Sequence, residues 1–510
     1  METLIPMMPK QNQTNSELNR IEGHLKEEYP LLVDVVESFK ELDLITRKLG
    51  FFQPEESHTE RIPWWPVISV LGLYSSGKSA FVNHYLKYHV QVTGNQAVDD
   101  KFTVICFTSE DMVRVLPSLA LDADPRFPFF KISEAIEEAT PGEGRRVDAY
   151  LQLKTCPSEQ LKGMIFIDSP GFDADSQRKS VLRITDHIID LSDLVLVFFD
   201  ARHPESGSMH DTLNHLVKGT INRRDSSKFL YILNQIDTTA NENNPEQVFA
   251  AWQRALAQSG LTAGRCYTIY NPEFAVSIED EGLKARFESK RDTELTDIYN
   301  RIEQVKVERE YRIVGMLEQT AHLLEKEIIP RIRQQKDSWR RWIMCLDGLI
   351  LGAIAVAYFM IIFWTGYGDE VRFKISFSND FLENPTRGTI IVAAFLVMIG
   401  SIHFFLRRVI SNRILRTNIK EKETPDQYAN YERAFRKNTR WWRSLFSRKP
   451  TGSGKGTMKR LAKVVEDTNL YIRMLNDRYT NPSGGEKATS PEMQKDNSSE
   501  QRKQSITYIF

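Results

Sequence analysis

The stretch Gly72-Leu73-Tyr74-Ser75-Ser76-Gly77-Lys78-Ser79 satisfies every fixed position of the G-x-x-x-x-G-K-[ST] phosphate loop, and it restricts the fold more than any other feature. Such a loop works only between a strand and a helix. The run before it, Pro66 to Leu71, is apolar and β-branched as a buried strand requires, and Ala80 to Leu86 can continue as a helix. Backbone N–H groups of the loop and the positive end of the helix then face the phosphates. This assigns Gly72, Tyr74, Ser75, Ser76, Gly77, Lys78, Ser79 and Ala80 to a bound nucleotide. Lys78 would reach the β- and γ-phosphates, and the Ser79 hydroxyl would ligate Mg²⁺.

A phosphate loop alone leaves the base open, and later segments narrow it. Met164 to Gly171 reads as an apolar strand ending in D-x-x-G, which places Asp168 on Mg²⁺ and the Gly171 N–H at the γ-phosphate. A buried strand follows within Asp193 to Asp200. Phe229 to Leu233 then leads into Asn234-Gln235-Ile236-Asp237, which stands where N/T-K-x-D reads guanine. The Asp237 carboxylate can accept from both guanine N–H donors, and a base lacking them would leave it unpaired. This turn makes GTP the expected nucleotide with ATP as the alternative, Gln235 standing in place of the motif's lysine. Between Arg61 and Pro272 strand-like and helical runs alternate, which predicts an α/β P-loop GTPase domain with a mostly parallel sheet. Catalysis in such a site is positioning plus charge stabilisation of a water attack. Lys78 and Ser75 are the catalytic candidates within the loop; the histidines, His203 and His210 among them, are dispersed.

At 510 residues the chain exceeds a single core. Its 67 Lys+Arg nearly cancel 68 Asp+Glu, which argues against nucleic acid as a partner. The four cysteines lack C-x-x-C spacing, so a reducing compartment without a zinc site is expected. Met1 to Tyr29 is polar, with no signal-peptide core.

Two apolar runs stand out, Trp342 to Thr365 and Thr389 to Leu406. Each approaches or exceeds the roughly 20 residues that cross a bilayer as a helix. Asp347 lies one turn inside the first, His403 near the end of the second, and Gly348 and Gly352 form a G-x-x-x-G pair. Arginines and lysines crowd the outer flanks, from Arg331 to Arg341 and from Arg407 to Arg416, whereas the intervening loop is mixed. The positive-inside bias predicts a two-pass hairpin with both termini and the nucleotide domain in the cytosol. An endomembrane such as the endoplasmic reticulum is expected, with a bacterial inner membrane or mitochondrial outer membrane as alternatives.

The predicted organisation is a helical segment at 1–60, the nucleotide domain at 61–275 and a helical stalk at 276–341. A transmembrane hairpin follows at 342–406, a second helical segment at 407–480 and a disordered tail at 481–510. Pro330 is expected to kink or end a helix. Tyr428 to Phe446 and Met458 to Tyr479 read as helical, with Gly452 to Gly456 a flexible linker between them. The stretch Arg436 to Lys449, with Trp441 and Trp442, fits either an anionic membrane surface or helix packing.

The phosphate loop, the segment Asp99 to Ile105, the strand Met164 to Phe172, the run Ser192 to Arg202 and Leu233 to Asp237 together resemble the dynamin superfamily, most of all its EHD and sarcalumenin branch. The resemblance covers about Pro63 to Pro272. It implies a domain that hydrolyses a nucleoside triphosphate with Mg²⁺, pairs with a second copy across the nucleotide face, and engages membrane lipids through helices. In layout the chain is also similar to atlastins and mitofusins. The family's first switch carries a Mg²⁺-binding threonine where this chain has Val98-Asp99-Asp100, which leaves Thr103 or Thr93 to take that role. The implied function is membrane tethering, fusion or remodelling, with an anchored nucleotide switch as the alternative.

Overall fold

The computed structural model describes residues 20–54, 56–93, 101–122, 127, 129, 132–139, 142, 144–171, 179–202, 225–240, 245–261, 264–364, 385–419 and 425–480. Asp99 and Asp100, His203 and His210, the loop between the two apolar runs from 365 to 384 and the tail from 481 lie outside them. The chain divides into two compact units. One comprises residues 15–34, 59–315 and 472–510, the other residues 1–14, 35–58 and 316–471.

The first unit is built on strands β1 (Val67–Gly72), β2 (Phe102–Phe107), β3 (Arg114–Leu116), β4 (Leu151–Cys156), β5 (Ile165–Asp168), β6 (Leu194–Asp200), β7 (Phe229–Asn234) and β8 (Arg265–Thr268). They form an eight-stranded sheet in the order β3-β4-β2-β5-β1-β6-β7-β8. Antiparallel pairing is confined to β2 with β5 and β3 with β4. The expectation of a mostly parallel sheet holds. β1, β6 and β7 are buried along their whole length, as strands covered on both faces must be. Alternate residues serve opposite faces: Leu194, Leu196 and Phe198 enter one core with Phe81, Tyr85, Ile298 and Ile302, while Val195, Val197 and Phe199 join Trp252 in another.

Helix α1 (Lys78–Leu86) follows β1 directly. The parallel register sets Val70 beside Asp168, Gly72 beside Phe198 and Asp200 beside Asn234. The carboxyl ends of β1, β5, β6 and β7 therefore lie along one edge, the position where open α/β sheets bind ligands.

The second unit is helical, and it departs from the sequence reading in several places. Pro330 does not end its helix. A π turn at Leu324–Ile328 precedes the helix Ile329–Trp364, and the wider turn accommodates the ring that a regular α-turn would drive into the carbonyl four residues back. The helix beginning at Pro425 stops at Asn438, short of Phe446, where Asn438 Oδ1 accepts from Thr451 N at 2.6 Å. Gly452 is no flexible linker: it holds φ +85°, and a Cβ there would meet the Lys48 backbone at 2.7 Å. Helix Lys455–Tyr479 starts soon after.

Among the described residues two helices are long and apolar enough to cross a membrane, with windows of mean hydropathy 2.1 and 1.7. Those windows are only 6% and 11% buried, which sets them apart from the core helices of a soluble protein. Asp347 and His403, one on each apolar run, meet: His403 Nδ1 lies 2.8 Å from Asp347 Oδ2.

Candidate nucleotide-binding site

The phosphate loop holds its turn because Gly77 within it and Gly171 beside it leave no room for a side chain. Gly77 precedes α1 at φ +84°, and a Cβ on it would strike the Asn234 amide. Gly171 has room for Tyr74 alone: its Cβ would sit 2.7 Å from the Tyr74 Cα. The D-x-x-G turn and the phosphate loop are thus in contact through that glycine. Two non-glycine residues, Ser75 and Gln235, adopt left-handed backbone at φ 55° and 65°. They are joined, since Gln235 Nε2 donates to the Ser75 carbonyl at 2.6 Å. Asn234 Nδ2 donates to the Ser76 carbonyl at 2.8 Å, so the N-x-x-D turn clamps the phosphate loop from the side. Backbone strain of this kind persists only where the surroundings over-determine it, and here two amide clamps do so.

Lys78 is buried and its Nζ donates to the Leu73 carbonyl at 2.9 Å. Burial pulls its pKa down to about 8, although Asp168 opposes the shift. Ser79 Oγ donates to Asp168 Oδ2 at 2.8 Å. Asp237 Oδ2 accepts from Val276 N at 2.8 Å, and burial raises its carboxyl pKa against the pull of backbone N–H donors and Arg202.

A cavity of about 330 Å³ joins these pieces. From the phosphate loop it is lined by Tyr74, Ser75, Gly77, Lys78, Ser79 and Ala80. Gly171, Asn234, Gln235, Asp237, Thr93 and Arg202 are among the other residues of its wall. Gly72, Ser76 and Asp168 stand behind the lining: Gly72 against Phe198, Ser76 bonded to Leu73, Asp168 bonded to Ser79. Thr103 is not brought to the cavity. It is fully buried in β2 opposite Asp168, and its hydroxyl accepts from Gln152 Nε2 at 2.7 Å. Of the two switch-threonine candidates, only Thr93 is at the wall.

Ser79 and Asp168 fit Mg²⁺ by chemistry: a hydroxyl and a carboxylate already in contact beside the phosphate cradle, both hard oxygen donors. Phosphate oxygens and water complete such a shell in nucleotide enzymes.

Sequence reasoning missed Arg202, which chelates Asp200 through Nε and Nη2 and reaches the Ser75 carbonyl with Nη2 at 3.4 Å. It missed Gln91 as well, whose Nε2 donates to Asp168 Oδ2 at 2.7 Å. Arg202 ends the run Ser192 to Arg202 that carries the family resemblance but has no role assigned there, and no motif marks Gln91.

Residues 68–236 match the sequence profile of the Dynamin family. EH domain-containing protein 3 of Homo sapiens is 25% identical over 182 residues, which cover 34% of this chain and 31% of that protein. EH domain-containing protein 1 of Bos taurus matches at the same 25% identity and the same coverage. The chain thus spans about a third of the length of these relatives. Among solved structures, a chain described as an oligomerised bacterial dynamin pair for long range sensing and tethering of membranes aligns with 98% of this chain and 80% of its own, at 12% identity and a TM-score of 0.31. LeoA, a bacterial dynamin GTPase from ETEC, covers 94% and 78% at 13% identity and a TM-score of 0.27. Scores that low carry no argument about architecture.

Proposed function

We propose, from the match of residues 68–236 to the Dynamin family profile, that the chain binds GTP with Mg²⁺, hydrolyses it, and couples that cycle to membrane tethering, fusion or remodelling. The observation that carries the proposal is the single cavity where the Lys78 and Ser79 end of the phosphate loop meets the Asp237 carboxylate. Lys78, stripped of water, offers its charge to β- and γ-phosphate oxygens more strongly than a solvated amine could. Ser75 and Tyr74 line the cavity, where they would meet the triphosphate or a second copy of the domain. Asp237 takes the two guanine N–H donors, and Asn234 supports the base pocket by holding the loop beneath it. Mg²⁺, held by Ser79 with Asp168 behind it, would neutralise charge on the triphosphate. The two apolar helices form a hairpin anchor in this reading, with lipid as partner and a nucleotide-dependent homodimer as the working unit.

An anchored switch that binds nucleotide without mechanical work is favoured by one observation: Thr103 is locked in the sheet, which leaves Thr93 as the switch-threonine candidate at the cavity wall. Turnover of GTP and ATP measured over a range of protein concentrations separates the two readings. A mechanical dimer gives a rate per molecule that climbs with concentration, prefers GTP, and is abolished in Lys78→Ala. A rate that is zero at every concentration, with tight nucleotide binding retained, selects the switch. Absence of binding to either nucleotide removes both.

A further inference from the structure

Asn83, Gln91, Lys154 and Asp168 form a buried polar chain behind the cavity. It begins on α1, where Asn83 grips the backbone of the segment that follows. Its Oδ1 accepts from Val90 N at 3.0 Å and Gln91 N at 2.9 Å, and its Nδ2 donates to the Gln91 carbonyl at 2.7 Å. The Gln91 side chain is thereby aimed inward, between Lys154 and Asp168. Lys154 Nζ donates to Gln91 Oε1 at 2.5 Å, and Gln91 Nε2 donates to Asp168 Oδ2 at 2.7 Å.

The amide has no freedom to flip. An ammonium can only donate and an ionised carboxylate can only accept, so the oxygen must face Lys154 and the NH₂ must face Asp168. The Asp168 oxygen that receives Gln91 is the same one that receives Ser79. Gln91 therefore sets where that oxygen sits relative to the Ser79 hydroxyl, and Lys154 polarises the amide that does it. Burying a lysine on β4 with no part in the phosphate cradle costs desolvation, and a task at Asp168 explains its presence there.

We propose that Gln91, oriented by Lys154, is a positioning residue for Asp168 and sets the Mg²⁺ affinity of the nucleotide site. This rests on the reading of Ser79 and Asp168 as the Mg²⁺ pair and adds the residues that tune it. Outer partners of metal-binding groups typically change metal affinity by about 10- to 100-fold when removed.

The test follows release of a fluorescent ribose-labelled GTP analogue from the full chain in detergent, first in EDTA and then across a MgCl₂ titration. Gln91→Leu should leave release in EDTA as in the wild type and raise the MgCl₂ concentration that half-slows release by about 10- to 100-fold. Lys154→Met should move that midpoint the same way by less, because the amide remains but loses its orientation. A merely structural role would instead lower the thermal midpoint and speed release in EDTA, with the MgCl₂ midpoint unmoved. Wild-type MgCl₂ midpoints in the folded variants overturn the proposal, and Lys154→Met decides alone if Gln91→Leu does not fold. If the wild-type protein binds the analogue and ignores MgCl₂, or binds none, the underlying reading of the site falls with it.

Discussion

Lys78 illustrates how one buried cation can report on the whole site. Its folded pKa of about 8 lies below the ordinary 10.5 because burial disfavours the charged form. Between those values the unfolded chain binds the extra proton, so this group adds to the stability of the nucleotide-free protein as pH rises from about 8 towards 10.5. A triphosphate placed against the amine reverses the bias and restores the proton. Binding should therefore take up a proton from about pH 8 upward, and affinity should fall as pH climbs further. Calorimetric titration in two buffers of different ionisation enthalpy reads that uptake directly, and Lys78→Met should abolish it. Gln235 shows a second residue-scale economy. A neutral amide here reaches the Ser75 carbonyl at 2.6 Å, so the side chain in the lysine position is committed to the phosphate loop.

Among the elements, β6 is the keel of the sheet. It lies between β1 and β7 with all seven residues buried, and Phe198 packs 5.1 Å from Phe81 on α1. Phe198→Ala would open a cavity beneath the helix that carries Lys78 and should cost about 3–5 kcal/mol of unfolding free energy, as measured by urea denaturation. Because the Phe198 carbonyl also faces Gly72, nucleotide affinity should weaken in parallel. The helices teach a different lesson. Pro330 sits just after a π turn, and a helix that looked broken by composition continues because five residues of wider winding absorb the ring.

For the molecule as a whole, the question is on which side of a bilayer the parts lie. Arg407 and Arg408 after the second apolar run, and Arg340 and Arg341 before the first, favour a hairpin that returns the chain to its starting side. In sealed proteoliposomes, a protease added outside should cut both the phosphate-loop fragment and a tag at residue 510, or spare both. Opposite protection of the two would rule out the hairpin. The Asp347–His403 contact bears on the same point. Two ionisable side chains on separate apolar helices are less costly in lipid when they pair, so in a membrane hairpin the contact would favour one register.

Amino-acid order was enough to place the strand, loop and helix around Lys78, the Asp168 and Asp237 turns, the mostly parallel sheet and the two apolar helices. Each depends on spacing over a few consecutive residues, where periodicity and fixed motif positions are visible in the chain itself. The three-dimensional fold alone decided that Gln91 touches Asp168 across 77 residues and Lys154 across 63. It alone withdrew Thr103 into the sheet and drew Arg202 to the cavity. Polar contacts between distant segments carry no local period, because a lone glutamine or lysine follows the same pattern whether it meets solvent or a buried carboxylate. Strand register is what turns those scattered letters into neighbours.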